Sequence, residues 1–139
     1  MRKDRAARIT LIGLALVLAA CGSSTASPSG TTITGTLTEF KIELSATSAP
    51  AGPVTFNVTN NGTIVHEFVI LKTDTLAKDL PLVADAVVEN DFSPVGEVAE
   101  TNAGDSGTFS ATLAAGHYAI ICNIPGHVAQ LMVTDFTVR

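Results

Sequence analysis

The sequence has few of the residue types from which many functional sites are built. In 139 residues there is no tryptophan, and there are one tyrosine, two cysteines, three histidines and two methionines, one of them the initiator. Basic residues are scarce after the first eight positions: from residue 21 onward four Lys/Arg face twelve Asp/Glu, a net charge of −8. So acidic a surface argues against nucleic acid and anionic lipid headgroups as partners. The length favours one domain.

The amino-terminal end has the pattern of an export signal. Basic residues precede an apolar run, Ile9–Ala20, that is too short to span a bilayer. The run ends in Leu18-Ala19-Ala20-Cys21, which resembles the lipobox of bacterial lipoproteins, whose cysteine is acylated; an ordinary secretory signal is the alternative. We therefore expect a signal peptide over residues 1–20 and a lipid anchor on Cys21, which would hold the protein on a bilayer in the bacterial cell envelope, outside the cytoplasm.

The segment after Cys21 differs in composition from the rest of the chain. Residues 21–32 are mostly small and polar, which predicts a flexible tether between lipid and domain. The folded domain is then expected over residues 33–139, a length sufficient for one core.

Alternating apolar and polar residues predict short β-strands in the domain. Apolar side chains recur at every second position near residues 40–44, 54–58, 109–113 and 118–122, and Gly, Pro and Asn turns separate these stretches. Ile64–Leu71 is apolar on both faces except for His66 and Glu67. Because no helical period is sustained, we predict an all-β domain built as an antiparallel sandwich or barrel.

One connection is long for a compact domain. It covers residues 73–94, and its apolar segment Leu80–Val88 is compatible with a short helix. We therefore expect one long loop or a short helix in this region.

Cys122 requires an explanation in an exported protein. If Cys21 carries lipid, Cys122 has no second cysteine in the chain with which to pair. Such a thiol indicates an intermolecular disulfide, a reactive site or a metal ligand.

Three side chains near the carboxyl end have a spacing that suits a metal ion. Cys122, His127 and Met132 form a C-x4-H-x4-M pattern on one predicted loop between two strands. The fourth residue, His66, lies on an earlier strand, where it shares a face with apolar neighbours and is expected to point inward. His117 alternates out of phase with Cys122 and is expected at the surface.

Taken singly, these residues have ordinary explanations, such as core packing for Met132 and Cys122. Taken together, they supply two imidazoles, a thiolate and a thioether, the donor set of blue-copper electron-transfer sites. Zinc accepts cysteine and histidine but gains little from a thioether, so Met132 favours copper. A multicopper enzyme would need further histidine clusters, which three histidines cannot provide.

With these residues identified, the sequence resembles the cupredoxins, a family of blue copper proteins, over residues 33–139. Gly116–Cys122 is similar to the G-x-Y-x-x-x-C strand of plastocyanin-like members, and the four residues between Cys122 and His127 are closer to the spacing in rusticyanin and sulfocyanin. The segment 61–68 matches the upstream ligand segment of the family. The resemblance implies a Greek-key β-sandwich with one copper per chain, bound by His66, Cys122 and His127 with Met132 as the axial ligand.

The sequence departs from the family pattern at two positions. Glu67 follows the first histidine, where many members have an asparagine that ties the two ligand loops together. Leu131 precedes Met132, where glycine is common.

The resemblance implies a one-electron carrier outside the cytoplasm, not an enzyme, with no small-molecule substrate. Redox proteins would dock transiently on an apolar patch around the edge of His127. The interface would be small, as is typical of redox encounters. The patch is expected to contain Ile124, Pro125, Val128, Ala129 and Leu131. A copper chaperone or copper-sequestering lipoprotein is the alternative function.

Overall fold

The computed structural model describes residues 30–139. The predicted signal peptide, Cys21 and most of the predicted tether lie outside the described residues. Within the described part the chain forms eleven strands: β1 Thr31–Thr38, β2 Lys41–Leu44, β3 Ser48–Ala49, β4 Gly52–Asn60, β5 His66–Lys72, β6 Leu82–Val83, β7 Ala86–Val87, β8 Ser93–Thr101, β9 Ser106–Leu113, β10 Gly116–Ile121 and β11 Val133–Val138. Short 3-10 turns occupy Ala77–Asp79, Glu89–Asp91 and Val128–Gln130.

Strand β1 begins at Thr31, two residues before the predicted start of the domain. It pairs with β4 from Thr31 onward, so Thr31 and Thr32 belong to the sheet.

Among the described residues no helix is long and apolar enough to span a membrane.

Two sheets enclose the core. One has the order β2-β1-β4-β9 and the other β3-β11-β10-β5-β8, while β6 and β7 form a separate hairpin. The prediction of an all-β sandwich is confirmed. The sheets are not wholly antiparallel, because β1 pairs in parallel with β4 and β3 with β11. After β2 the chain adds β3 to the second sheet and then returns beside β1, running in the same direction as β1.

The main core lies between the two sheets and is centred on three phenylalanines. Phe56 of β4 packs against Phe68 of β5 and Phe136 of β11, with ring centroids 5.5 and 5.4 Å apart. None of the three side chains is exposed. Since edge-to-face and tilted aromatic pairs add to the free energy of apolar burial, this contact joins the sheets strongly.

A second cluster covers the outer face of β5 and β10. Their outward side chains pack under residues of the long connection and of the ligand loop, in a cluster composed of Val69, Leu71, Ala77, Leu80, Val87, Ala119, Ile121 and Val128. This cover explains why the sequence of β5 is apolar on both faces, since a strand buried on both sides does not alternate.

The long connection contains a hairpin where the sequence was compatible with a short helix. Leu82–Val83 pairs with Ala86–Val87 across a turn at Ala84 and Asp85, both of which have positive φ (51° and 63°). Two consecutive left-handed residues form the tight turn that suits a two-residue hairpin. The β-branched valines on either side also favour strands over helix.

The aromatic contact between the sheets makes Phe56→Ala the first test of the fold. Its removal leaves a cavity in the core, and we expect the free energy of unfolding to fall by about 3–5 kcal/mol. Urea denaturation followed by circular dichroism measures this loss. Val83→Ala is the control, since Val83 is 64% exposed and its truncation should change stability by less than about 0.5 kcal/mol. Equal losses in the two variants would contradict this description of the core.

Candidate metal centre

The site lies where β5 begins and β10 ends. These strands are antiparallel neighbours, with Ile121 opposite Val69, so the start of one lies beside the end of the other. His66 is the first residue of β5, and Cys122 directly follows β10. Two residues far apart in sequence are thereby brought to one end of the second sheet.

The loop after Cys122 is closed by hydrogen bonds of its own backbone. His127 N–H donates to the carbonyl of Ile124 (2.9 Å), and Met132 N–H donates to the carbonyl of His127 (3.1 Å). Cys122 N–H donates to the carbonyl of Met132 (3.0 Å), which joins the two ends of the loop. These bonds fix the backbone that carries the three candidate ligands.

Three donor atoms from these two segments converge. The Cys122 Sγ lies 3.1 Å from the Nδ1 of His127 and 3.8 Å from the Nδ1 of His66, and the two Nδ1 atoms are 3.3 Å apart. All three residues are buried and form the single candidate metal cluster found among the described residues. The inward orientation predicted for His66 is confirmed, since none of its surface is exposed.

This spacing suits a trigonal metal ion. With metal–ligand bonds of about 2.0–2.3 Å, as in zinc sites, three donors at 120° would lie about 3.5–3.8 Å from one another. The two separations that involve His66, 3.3 and 3.8 Å, are close to that range, whereas the Sγ of Cys122 and the Nδ1 of His127, 3.1 Å apart, would have to separate further around a metal. Two imidazoles and one thiol in this arrangement match the donor set of a type 1 copper site.

Met132 lies in the same buried region as these donors. Its side chain is fully buried and belongs to the core cluster that includes Cys122 and Ile124. The backbone bonds to His127 and Cys122 fix its position at the base of the loop. The backbone of the fourth predicted ligand thus lies beside that of Cys122 and His127.

Burial controls the protonation of the donors in the metal-free protein. It raises the pKa of the Cys122 thiol, although N–H groups of Glu67 and Ile124 oppose this shift. Burial lowers the pKa of both histidines; the nearby His66 lowers that of His127 further, whereas Glu39 opposes the shift of His66. The three groups are therefore neutral together near neutral pH, and metal binding must displace the thiol proton.

Glu67 stands where many cupredoxins, the family that the sequence resembles, have an asparagine. It still links the two ligand segments. Its backbone N–H points at the Cys122 Sγ (3.4 Å), and the backbone N–H of Asn123 favours the charged form of its carboxyl and so opposes the rise of that pKa. Burial, together with the charges of Glu89 and Glu97, raises the pKa of the Glu67 carboxyl to about 7.

Leu131 has the backbone conformation that explains why glycine is common before the axial methionine. Its φ is 63°, in the left-handed region, and its N–H donates to the carbonyl of Val128. The leucine side chain is 62% exposed, so the strained backbone carries an apolar group into solvent.

The apolar surroundings of His127 differ in part from the prediction. Pro125, Ala129 and Leu131 are exposed as expected, but Val128 is buried in the second core cluster because the 3-10 turn directs it inward. His127 itself is 9% exposed, whereas His66 and Cys122 are not exposed. Of the three donors, His127 is thus the one that reaches the surface.

The third histidine, His117, lies outside the metal cluster, as predicted, but it is half-buried and not a surface residue. Its Nδ1 lies 2.6 Å from the carbonyl of Thr73 and its Nε2 lies 2.9 Å from the Asp135 carboxylate. Asp135 also accepts a hydrogen bond from Ala77 N–H. The long connection folds over this side chain, which sequence alternation does not reveal.

Two further contacts to the site were missed from the sequence. Asn123 binds the backbone of Val87 in both directions, through its Oδ1 (2.7 Å) and its Nδ2 (2.9 Å), and so attaches the long connection to the ligand loop. Phe40 packs edge-on against the His127 ring, with centroids 5.2 Å apart. Both contacts depend on tertiary packing, and no local pattern in the sequence identifies them.

Solved structures share this fold. Reduced auracyanin from the photosynthetic bacterium Roseiflexus castenholzii matches with a TM-score of 0.63 and 23% identity, over 78% of this chain and 97% of that one. Rusticyanin from Thiobacillus ferrooxidans matches with a TM-score of 0.59 and 23% identity, over 81% and 79% of the two chains. Auracyanin A, a "blue" copper protein from the green thermophilic bacterium Chloroflexus aurantiacus, matches with 0.56 and 22%, over 80% and 100%.

These neighbours are cupredoxins, and the expected cupredoxin-like sandwich is confirmed. At this level of identity the likeness establishes the fold alone. No family model and no curated protein sequence matches the chain.

The raised pKa of Glu67 predicts a pH dependence of stability in the metal-free protein. The folded state binds the proton of the Glu67 carboxyl more tightly than the unfolded state does. The protonated carboxyl therefore stabilises the folded state below pH 4.5, and this stabilisation is lost as the pH rises to about 7. Glu67→Gln cannot ionise, so it should gain about 1–2 kcal/mol over wild type between pH 4 and pH 8. The expected gain is smaller than the full pKa shift from 4.5 to about 7 would give at 1.36 kcal/mol per unit. The reason is that solvent screens the charge of a partly exposed group.

Urea denaturation of both proteins across this pH range measures the difference. Glu43→Gln is the control, because it removes the same charge from an exposed carboxylate on β2. It should not show the gain in stability over wild type. A stability difference between wild type and Glu67→Gln that is independent of pH would contradict the assignment.

Proposed function

We propose that this protein is an extracytoplasmic one-electron carrier with a mononuclear type 1 copper site. His66, Cys122 and His127 would bind copper, with Met132 as the axial ligand. The observation that carries the proposal is the convergence of two imidazole nitrogens and one thiol within 3.8 Å of one another, in residues that are all buried. The cupredoxin fold around them supports the same conclusion.

The donor set suits both oxidation states of copper. Thiolate and thioether favour Cu(I), while imidazole serves Cu(I) and Cu(II), so bound copper would supply reversible one-electron chemistry. The chain contributes rigidity: β5 and β10 hold His66 and Cys122, and the backbone bonds of the loop hold His127 and Met132. Ligands held by the backbone in this way would limit the rearrangement that accompanies electron transfer.

Electrons would enter and leave at His127. It is the donor that reaches the surface, and Pro125, Ala129 and Leu131 provide exposed apolar groups on its loop. An apolar patch without fixed charge suits brief docking with redox proteins, because such contacts are small and dissociate quickly. The acidic surface beyond the patch would favour partners of positive charge.

The proposed location outside the cytoplasm rests on the amino-terminal sequence. The signal-like segment and the lipobox-like Leu18–Cys21 support export and lipidation of Cys21, with the carrier held at the membrane by its lipid. Mass spectrometry of the protein from membranes of the producing cell would detect the acyl groups on Cys21.

Burial of the ligands favours a carrier over a copper chaperone. A chaperone must release its metal to an acceptor, and a site in which two of three donors have no exposed surface gives an acceptor little access. Reversible oxidation and reduction with retention of copper therefore separates the two functions.

The visible spectrum tests the site directly. Addition of Cu(II) to residues 22–139 should produce an intense thiolate-to-copper band that is absent in Cys122→Ser, because the serine oxygen cannot provide the charge transfer. His117→Ala is the matched control: it removes a histidine outside the cluster and should keep the band. A colourless wild-type product, or a band that survives in Cys122→Ser, would overturn the proposed site.

The proposed docking patch makes a second prediction. Leu131→Glu places a charge at the exposed tip of the patch, so electron self-exchange between two copies should slow by at least about tenfold. Line broadening of NMR signals in mixed Cu(I) and Cu(II) samples measures the rate. Leu76→Glu, at an exposed leucine of the long connection, adds the same charge elsewhere and should slow exchange less. An equal effect of the two variants would exclude the patch as the docking site.

A further inference from the structure

The turn between β1 and β2 contacts both histidines of the site although it supplies no predicted ligand. It consists of Glu39 and Phe40, which follow one another between the two strands. Phe40 packs against the ring of His127, and the Glu39 carboxylate faces the ring of His66 from the side opposite the metal cluster, with Oε1 3.7 Å from Nε2. One tight turn thus contacts two predicted ligands from separate segments, His66 at the start of β5 and His127 in the loop after β10.

The Glu39 carboxylate is held in place by the loop that precedes His66. Its Oε1 accepts hydrogen bonds from the backbone N–H and the hydroxyl of Thr63, the latter at 3.1 Å, and from the backbone N–H of Ile64 at 3.1 Å. Three donors from two successive residues fix the oxygen that faces His66. Two of the three donors are backbone N–H groups, so the fold itself determines the position of the carboxylate.

The Nε2 of His66 needs an acceptor. Among the described residues it is the buried side-chain nitrogen or oxygen without a hydrogen-bond partner. The Nδ1 of the same ring points into the donor cluster. When Nδ1 binds a metal, the remaining proton resides on Nε2, and a buried N–H without an acceptor is unfavourable. The facing carboxylate is an acceptor that a small shift brings within reach.

Gly62 creates the space for this approach. A Cβ at this position would lie 2.6 Å from Glu39 Oε1, 3.0 Å from His66 Nε2 and 3.1 Å from the Oδ1 of Asn60. Any larger residue would separate the carboxylate from the imidazole. Asn60 fixes the loop on its other side, because its Oδ1 accepts a hydrogen bond from Gly62 N–H (2.9 Å).

We infer that Glu39 is a positioning residue of the metal site, whose carboxylate accepts a hydrogen bond from the Nε2–H of His66 in a carboxylate–histidine–metal arrangement. The inference rests on the proposed function. Partners of this kind fix the orientation and tautomer of the imidazole and increase its donor strength. A negative charge behind the ring also stabilises the more positive oxidation state of the metal, so Glu39 should favour Cu(II) over Cu(I) and lower the reduction potential.

The test compares Glu39→Gln with Glu43→Gln, which removes an equal charge from the same hairpin. Affinities for Cu(II) and Cu(I) are measured by competition with chelators, and the potential by redox titration. Glu39→Gln should lose about 10–100-fold in Cu(II) affinity and less in Cu(I) affinity, so that its potential rises. Glu43→Gln should change neither the two copper affinities nor the potential. Glu39→Asp keeps the charge but shortens the side chain and should give an intermediate shift.

A purely structural role gives a different pattern. If Glu39 served only to hold Thr63 and Ile64, Glu39→Gln would lower the melting temperature of the metal-free protein and leave the potential equal to that of Glu43→Gln. That result would overturn the inference. Gly62→Ala provides a second variant in which the carboxylate is intact, and it should also lower Cu(II) affinity, since the added methyl group lies between Glu39 and His66.

A measurement on the metal-free protein separates this inference from the proposed function. Nitrogen-15 NMR of the imidazole should show the proton of His66 on Nε2 in wild type and in Glu43→Gln, with a changed Nε2 signal in Glu39→Gln. If wild type binds no copper but this pattern holds, the proposed function fails and the contact stands. If copper binds and the Nε2 signal is the same in all variants, the inference about Glu39 fails alone.

Discussion

The fold has to bury two imidazoles and a thiol against one another at one end of the sandwich. Cys122 and His66 have no exposed surface and His127 almost none, yet their facing atoms lie only 3.1–3.8 Å apart. Neutral groups in such a cluster satisfy one another poorly, so the fold must hold them together through other contacts. The aromatic core between the sheets and the backbone bonds of the ligand loop provide that stabilisation. A metal ion would turn this unfavourable cluster into a favourable one, which is how binding energy becomes folding energy.

Much of this arrangement is predictable from the sequence because strand alternation and ligand spacing are local. The inward orientation of His66 follows from its apolar neighbours, and Cys122, His127 and Met132 follow from one short segment. What joins His66 to that segment is the antiparallel pairing of β5 with β10. No local pattern specifies that pairing; the resemblance to a known family supplied it. The strand β8 had no clear alternation either, since it is an edge strand with mostly exposed residues.

Three features that the sequence did not predict involve the long connection between β5 and β8: its hairpin, the partial burial of His117 and the inward orientation of Val128. Its hairpin depends on two residues with positive φ, Ala84 and Asp85, and only Asp85 is a typical turn residue. The connection then covers the outer face of β5 and β10, buries part of His117 and attaches to Asn123. Val128 turns inward because this cover offers it an apolar contact. Sequence periodicity describes a strand and its own faces, but it does not show what a distant segment places on them.

Two glutamates beside the site have opposite electrostatic environments, and each follows from its neighbours. Hydrogen bonds from Thr63 and Ile64 hold the pKa of Glu39 near 2, so that it is charged behind His66. Burial and the acidic residues Glu89 and Glu97 raise the pKa of Glu67 to about 7 beside Cys122. A charged Glu67 would oppose the thiolate that metal binding requires, whereas a charged Glu39 lies behind a neutral ring that benefits from it. The fold thus places fixed negative charge next to the imidazole of His66 and reduces it next to the thiol of Cys122, a distribution that would suit the proposed copper site.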